Sequence, residues 1–156
     1  MRLVDILQPE TIRVPLQAVE KQSAIFELVD LLAEKVGIED VNALRDAVWQ
    51  REMTRTTGIG HSVGIPHGKI EGCPSLCMAI GLTREPIEFG AIDGQPVQLI
   101  ILLASPADQT GPHIQALAQI SRFLTDADFR TRIKQTNSAD EIYELIKEKE
   151  SLGIEA

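Results

Sequence analysis

A chain of 156 residues has room for one domain with a sizeable core and little more. Its 44% apolar content fits a globular protein, and a formal charge of -8 lacks the basic excess that nucleic acid or anionic lipid selects. No stretch approaches the roughly 18 apolar residues of a membrane helix, and Met1 to Asp5 shows no signal-peptide core, so the cytoplasm is the expected location.

In chain order, Thr11 to Val14 suits a short strand that Pro15 should stop. Ala24, Ile25, Leu28, Leu31, Leu32 and Val36 recur at helical spacing, and Gly37 is placed as a C-cap. Asp40 is positioned to cap a second helix carrying Val41, Leu44, Val48 and Trp49 on one side. From Thr56 to Gly72 the chain changes character: five glycines and one proline predict a loop with one short strand at Val63 and Ile65.

Leu76 to Leu82 and Val97 to Ala104 read as buried strands, the second nearly all apolar as a central strand would be. Between them Gly90 to Pro96, with Asp93-Gly94, supplies a turn. Pro112 suits the first turn of a helix holding Ile114, Leu117, Ile120 and Leu124. Thr125 to Asp128 starts a short helix through Phe129 and Ile133. Ser138 to Glu141 forms a capping box that opens the last helix. The domain is expected over residues 1–150, with 151–156 as a frayed tail. Helices on either side of a strand block predict an α/β fold with helices on both faces of the sheet.

The chemistry concentrates between Arg51 and Lys69. Pro66-His67-Gly68-Lys69 sits among glycines that let a bulky anion approach the backbone and expose amide groups to it. Histidine suits phosphoryl transfer: at an unperturbed pKa of about 6.5 much of it is neutral, so one ring nitrogen can attack while a hydrogen bond holds the other. Arg51 and Lys69 would neutralise charge on the transferred group. His113 follows a polar loop and opens a helix, a position that attracts anions, and would donate to the phosphoryl oxygens. Gly68, Lys69, Gln109 and Thr57 are the candidate phosphate contacts.

Other chemistries find less support. His61, His67 and His113 match no zinc-ligand spacing and bring no acid with them, so no metal is expected. Val63 breaks both the P-loop and the dinucleotide pattern, and neither Ser62 nor Ser105 sits in a nucleophile elbow. Cys73 and Cys77 lack redox spacing and read as a turn residue and a strand-packing residue. No cofactor is expected.

Gly58-Ile59-Gly60, Ile65-Pro66-His67-Gly68-Lys69, Pro86-Ile87 to Phe89, Ala91-Ile92-Asp93 and Pro106-Ala107-Asp108-Gln109 with His113 together resemble a known family. It is the fructose/mannitol-type IIA domain of the bacterial phosphoenolpyruvate-dependent phosphotransferase system, with most likeness to the nitrogen-regulatory branch, enzyme IIA-Ntr. The resemblance runs from Leu3 to about Ile146. It implies a three-layer α/β/α sandwich around a small mixed β-sheet. It implies that His67 takes phosphate from an HPr-type carrier, with His113 and Arg51 as active-site partners and an apolar rim that docks the donor. The branch usually carries Asn-Gly after Gly-Ile-Gly, where this chain has His61-Ser62. Two roles follow: a regulator of partner proteins, the favoured reading for a chain with no fused transport domain, or a sugar-uptake component that passes phosphate to a IIB domain.

Overall fold

The computed structural model describes residues 2–155, with side chains described up to residue 152. A 3-10 turn, Leu3–Asp5, precedes strand β1 (Leu7–Leu16) and helices α1 (Lys21–Val36) and α2 (Val41–Thr54). Three short strands follow, β2 (Gly58–Gly60), β3 (Val63–Gly64) and β4 (His67–Ile70), then the long pair β5 (Cys77–Ile87) and β6 (Val97–Pro106). Helices α3 (Thr110–Phe123), α4 (Ala127–Lys134) and α5 (Ala139–Glu155) complete the chain.

The strands form one mixed sheet in the order β1-β5-β6-β3-β2, and β4 adds to the same edge of β6 beyond β3. β5 runs antiparallel to β6, while β1 is parallel to β5 and both β3 and β4 are parallel to β6. The two-residue period of β6 sorts its side chains between the faces. Ile100, Leu102 and Ala104 enter one apolar cluster with α1 and α2; Leu99, Ile101 and Leu103 enter the other with α3, α4 and α5. β5 does the same, with Cys77 and Ala79 facing the first cluster and Met78, Ile80 and Leu82 the second. Both faces of the two central strands are therefore buried, which gives the three-layer α/β/α sandwich expected from the resemblance.

Local signals account for most boundaries. Gly37 ends α1 at φ 82°, a left-handed conformation that costs glycine nothing. The Asp40 carboxylate accepts from Ala43 N–H at the start of α2, and Asp126 accepts from Asp128 and Phe129 N–H at the start of α4. Ser138 Oγ accepts from Glu141 N–H at 3.2 Å, as a capping box requires.

Three expectations are corrected. Pro15 does not stop β1, which reaches Leu16 because β1 is an edge strand whose free side needs no N–H donor. The Thr56–Gly72 segment holds three short strands, not one, since β3 and β4 both pair with β6. Helix α5 runs through Glu155 into the expected tail, with Glu150 buried against the N-terminal turn; Ala156 lies outside the described residues.

Candidate active site

Parallel pairing places His67 beside Leu103 and Lys69 beside Ser105, at the C-terminal end of β6. His67, Leu103 and Ser105 share a register that turns them toward the α3 face of the sheet. Helix α3 crosses that face and brings His113 in, with 5.4 Å between the two imidazole centroids and an edge-on angle of 60°. Arg51 arrives from the last turn of α2, which packs on β4, and lines one open cleft of about 310 Å³ with His67. Arg55, Thr57, Ile59, Ile92 and Leu117 line it too. The three residues expected to act together, His67, His113 and Arg51, are thus gathered from three elements.

His67 is half-buried, and its Nδ1 lies 2.9 Å from the carbonyl oxygen of Ile65. A carbonyl only accepts, so Nδ1 carries the hydrogen and Nε2 keeps the lone pair. His113 is buried at 4% exposure, with Nδ1 2.7 Å from Ser105 Oγ. Among the described residues neither imidazole Nε2 has a hydrogen-bond partner.

Burial pushes the His67 pKa below the usual histidine value; the Ile65 bond opposes this, and Arg51 and Lys69 add to it. His113 is pushed down to about 4, chiefly by burial, then by His67 and Lys69. Both rings are therefore neutral near pH 7.

The proposed phosphate contacts separate. Lys69 Nζ donates to Thr110 Oγ1 at 3.3 Å, which places its charge at the start of α3 beside both histidines. Gln109 is the N-cap of α3 but lies outside the cleft lining, and its side chain makes no cap bond. Thr57 lines the cleft, yet its hydroxyl donates to the buried carboxylate of Glu52, so its hydrogen is committed elsewhere. Gly68 also has a different purpose. A Cβ there would meet Val48 Cγ2 at 3.0 Å and Val48 N at 3.1 Å, so its bareness admits the backbone of α2 rather than an anion. Gly64 likewise makes room for the Phe89 ring, 2.8 Å from where its Cβ would stand.

Two residues of the site escaped the sequence reading. Glu52, 2% exposed, pairs with Lys21 Nζ at 2.9 Å and accepts from Thr57 N–H and Thr56 Oγ1, tying the start of α1 and the 56–58 segment to α2. An acid in the last turn of a helix opposes the macrodipole, and that misplacement was its signal. Ser105, 0% exposed, is the lone hydroxyl in the apolar run from Leu99 to Pro106. His61 stands apart from the pair: it lies in the β2–β3 turn, its N–H on Asp93 and its carbonyl held by Lys134 Nζ at 2.7 Å. Among the described residues no three His, Cys, Asp or Glu groups cluster as metal ligands.

An α/β/α domain that holds two neutral imidazoles and a guanidinium at the end of its central strand defines a narrow class, and comparison with known proteins specifies it. Residues 5–149 match the family described as phosphoenolpyruvate-dependent sugar phosphotransferase system, EIIA 2. The chain belongs to that family. It is 34% identical to a nitrogen regulatory protein of Bradyrhizobium diazoefficiens, over 94% of this chain and 95% of that one. It is 28% identical to the fructose-specific EIIABC component of Bacillus subtilis, over 95% of this chain but 23% of that longer protein. Among solved structures, nitrogen regulatory protein IIA-Ntr of Neisseria meningitidis superposes with a TM-score of 0.84 at 29% identity, covering 92% of this chain and 97% of that one. The mannitol IIA of Escherichia coli gives 0.75 at 25% identity, covering 89% and 97%. Among the described residues no helix is long and apolar enough to cross a membrane.

Proposed function

We propose that this chain is a phosphohistidine carrier: His67 Nε2 accepts a phosphoryl group from an HPr-type donor, and the phosphorylation state sets which partner protein is bound. The observation that carries the reading is the Nδ1–H to Ile65 bond, which leaves Nε2 as the nucleophilic nitrogen in a cleft shared with Arg51. In the step itself, the Nε2 lone pair forms the new N–P bond as the donor's N–P bond breaks, and that electron pair returns to the donor's ring. As His67 gains positive character, the Ile65 carbonyl stabilises its Nδ1–H. Arg51 and Lys69 offset charge on the equatorial oxygens, and His113 remains a neutral neighbour.

A regulatory role is favoured over sugar uptake because the nitrogen regulatory relative is 34% identical over 94% of this chain, against 28% over 95% for the fructose-specific EIIABC component. The acquired charge, about -1.5 to -2, is enough to open or close an interface around the cleft. Exposed Ile59 and Ile92 at its rim supply apolar contact for a transient partner. A IIB domain is the acceptor on the transport reading.

Incubation with phosphoenolpyruvate, enzyme I and HPr, read by intact mass, tests the carrier. The wild type should gain one phosphoryl group and His67→Ala none. A gain that survives in His67→Ala but vanishes in His113→Ala would assign the acceptor to the other ring, and no gain in the wild type would leave a binding module without transfer.

A further inference from the structure

Ser105 lies at the end of β6, fully buried, with its side chain on the α3 face beside His113. Its Oγ stands 2.7 Å from His113 Nδ1, and no other hydrogen-bond partner of that hydroxyl exists among the described residues. The contact has two protonation patterns. If Nδ1 carried the hydrogen and donated to Ser105, the serine hydrogen would be buried with no acceptor, a disfavoured state. If Ser105 donates to a bare Nδ1, both atoms are satisfied and the ring hydrogen resides on Nε2.

The second imidazole is therefore not interchangeable with the first. His67 has its Nδ1 against an acceptor, which leaves Nε2 bare; His113 has its Nδ1 against a hydroxyl that donates. The rings are edge-on at 5.4 Å, and neither Nε2 has a hydrogen-bond partner among the described residues. An acceptor carbonyl and a donor hydroxyl thus give two neighbouring neutral rings opposite tautomers, one with a lone pair on Nε2 and one with a hydrogen there.

We propose that Ser105 is the positioning residue that holds His113 as the Nε2–H tautomer, so that a neutral imidazole offers a fixed hydrogen-bond donor to an anion on His67. The inference rests on the phosphoryl-carrier reading for its anion, but not for the tautomer. Lys69, paired with Ser105 across β4 and β6, keeps a positive charge close by, which disfavours a second proton on His113. Donation therefore depends on tautomer rather than on charge.

The test has two arms. Nitrogen-15 NMR of the unphosphorylated chain reads the tautomer directly: His113 should show a protonated Nε2 and an acceptor-type Nδ1, and His67 the reverse. Ser105→Ala should change the His113 Nδ1 signal and populate both tautomers, and Ser105→Thr, which keeps the hydroxyl, should restore the wild-type pattern. In transfer assays Ser105→Ala should lower kcat about tenfold at unchanged KM for the donor, with rescue by Ser105→Thr. A His113 that carries its hydrogen on Nδ1 in the wild type, or wild-type transfer by Ser105→Ala, overturns the proposal. Should the wild type accept no phosphoryl group, the carrier reading fails, and the tautomer assignment alone decides the role of Ser105.

Discussion

At the residue scale, the site uses two identical side chains in different chemical states, and the difference comes from one hydrogen-bond partner each. The same burial that keeps both rings neutral makes the domain sensitive to acid. The His113 pKa is about 4 in the folded chain against 6.5 for a free side chain. Between those two values the unfolded chain takes up a proton that the folded ring refuses, so stability falls as pH drops from 6.5 toward 4. At full effect the loss reaches about 3 kcal/mol. His67, also shifted down, adds in the same direction, and the lowered carboxyls of Asp93 and Asp126 add mainly as pH falls through 3.8. Urea unfolding at pH 7, 5.5 and 4.5 should show this decline, and His113→Gln should flatten it. A wild-type profile as flat as the variant's would contradict the burial of that ring.

At the scale of elements, the β2–β3 hairpin carries a local conflict. Its two turn residues, His61 at φ 57° and Ser62 at φ 65°, both occupy the left-handed region, as a two-residue type I′ loop demands. Neither is a favoured occupant; Asn-Gly is. The turn is held instead from outside, by Asp93 on the His61 N–H and by Lys134 on its carbonyl. Replacing the pair with His61→Asn and Ser62→Gly should stabilise the chain by about 1 kcal/mol, or 2–4 °C in Tm. A lower Tm would mean that the present side chains make contacts worth more than the strain. Elements of this kind show where sequence patterns stop being informative. The apolar runs of β5 and β6, the Asp40 cap, the helix start at Thr125 to Asp128 and the Gly37 C-cap are local signals, and each appears in the structure as read. The edge position of β1, which spares Pro15, and the joining of β3 and β4 to one edge of β6 depend on neighbours distant in the chain. Ser105 and Glu52 escape for another reason: a buried polar residue satisfied by side chains or amides outside its own element leaves no period to detect. The setting of His67, His113 and Arg51 in the sequence, not their spacing, singled them out, and the structure places His67 beside each of the other two, whereas the packing of Gly68 on α2 and the bond of Thr57 to Glu52 depend on contacts that the glycine-rich pattern does not display.

At the scale of the whole molecule, the Leu3–Asp5 turn meets helix α5. The Glu150 carboxylate, on α5, accepts from the Leu3 and Val4 N–H groups of the first turn and from Gln119 Nε2 of α3, the last at 2.8 Å. Glu150→Ala would strand two backbone donors and should cost about 1–3 kcal/mol, with Glu150→Gln milder because one oxygen still accepts. Hydrogen exchange at the Leu3 and Val4 amides should rise in step; unchanged protection would show that other contacts hold the terminus. The position of His67 has a larger consequence. It stands on a strand hydrogen-bonded to β6, with α2 packed against the adjacent Gly68 and α3 across the other face. On the carrier reading proposed above, the phosphoryl group therefore has a single berth on the strand. On that reading giver and receiver must queue for the same doorway, and a surplus of spent donor should slow delivery simply by occupying the entrance.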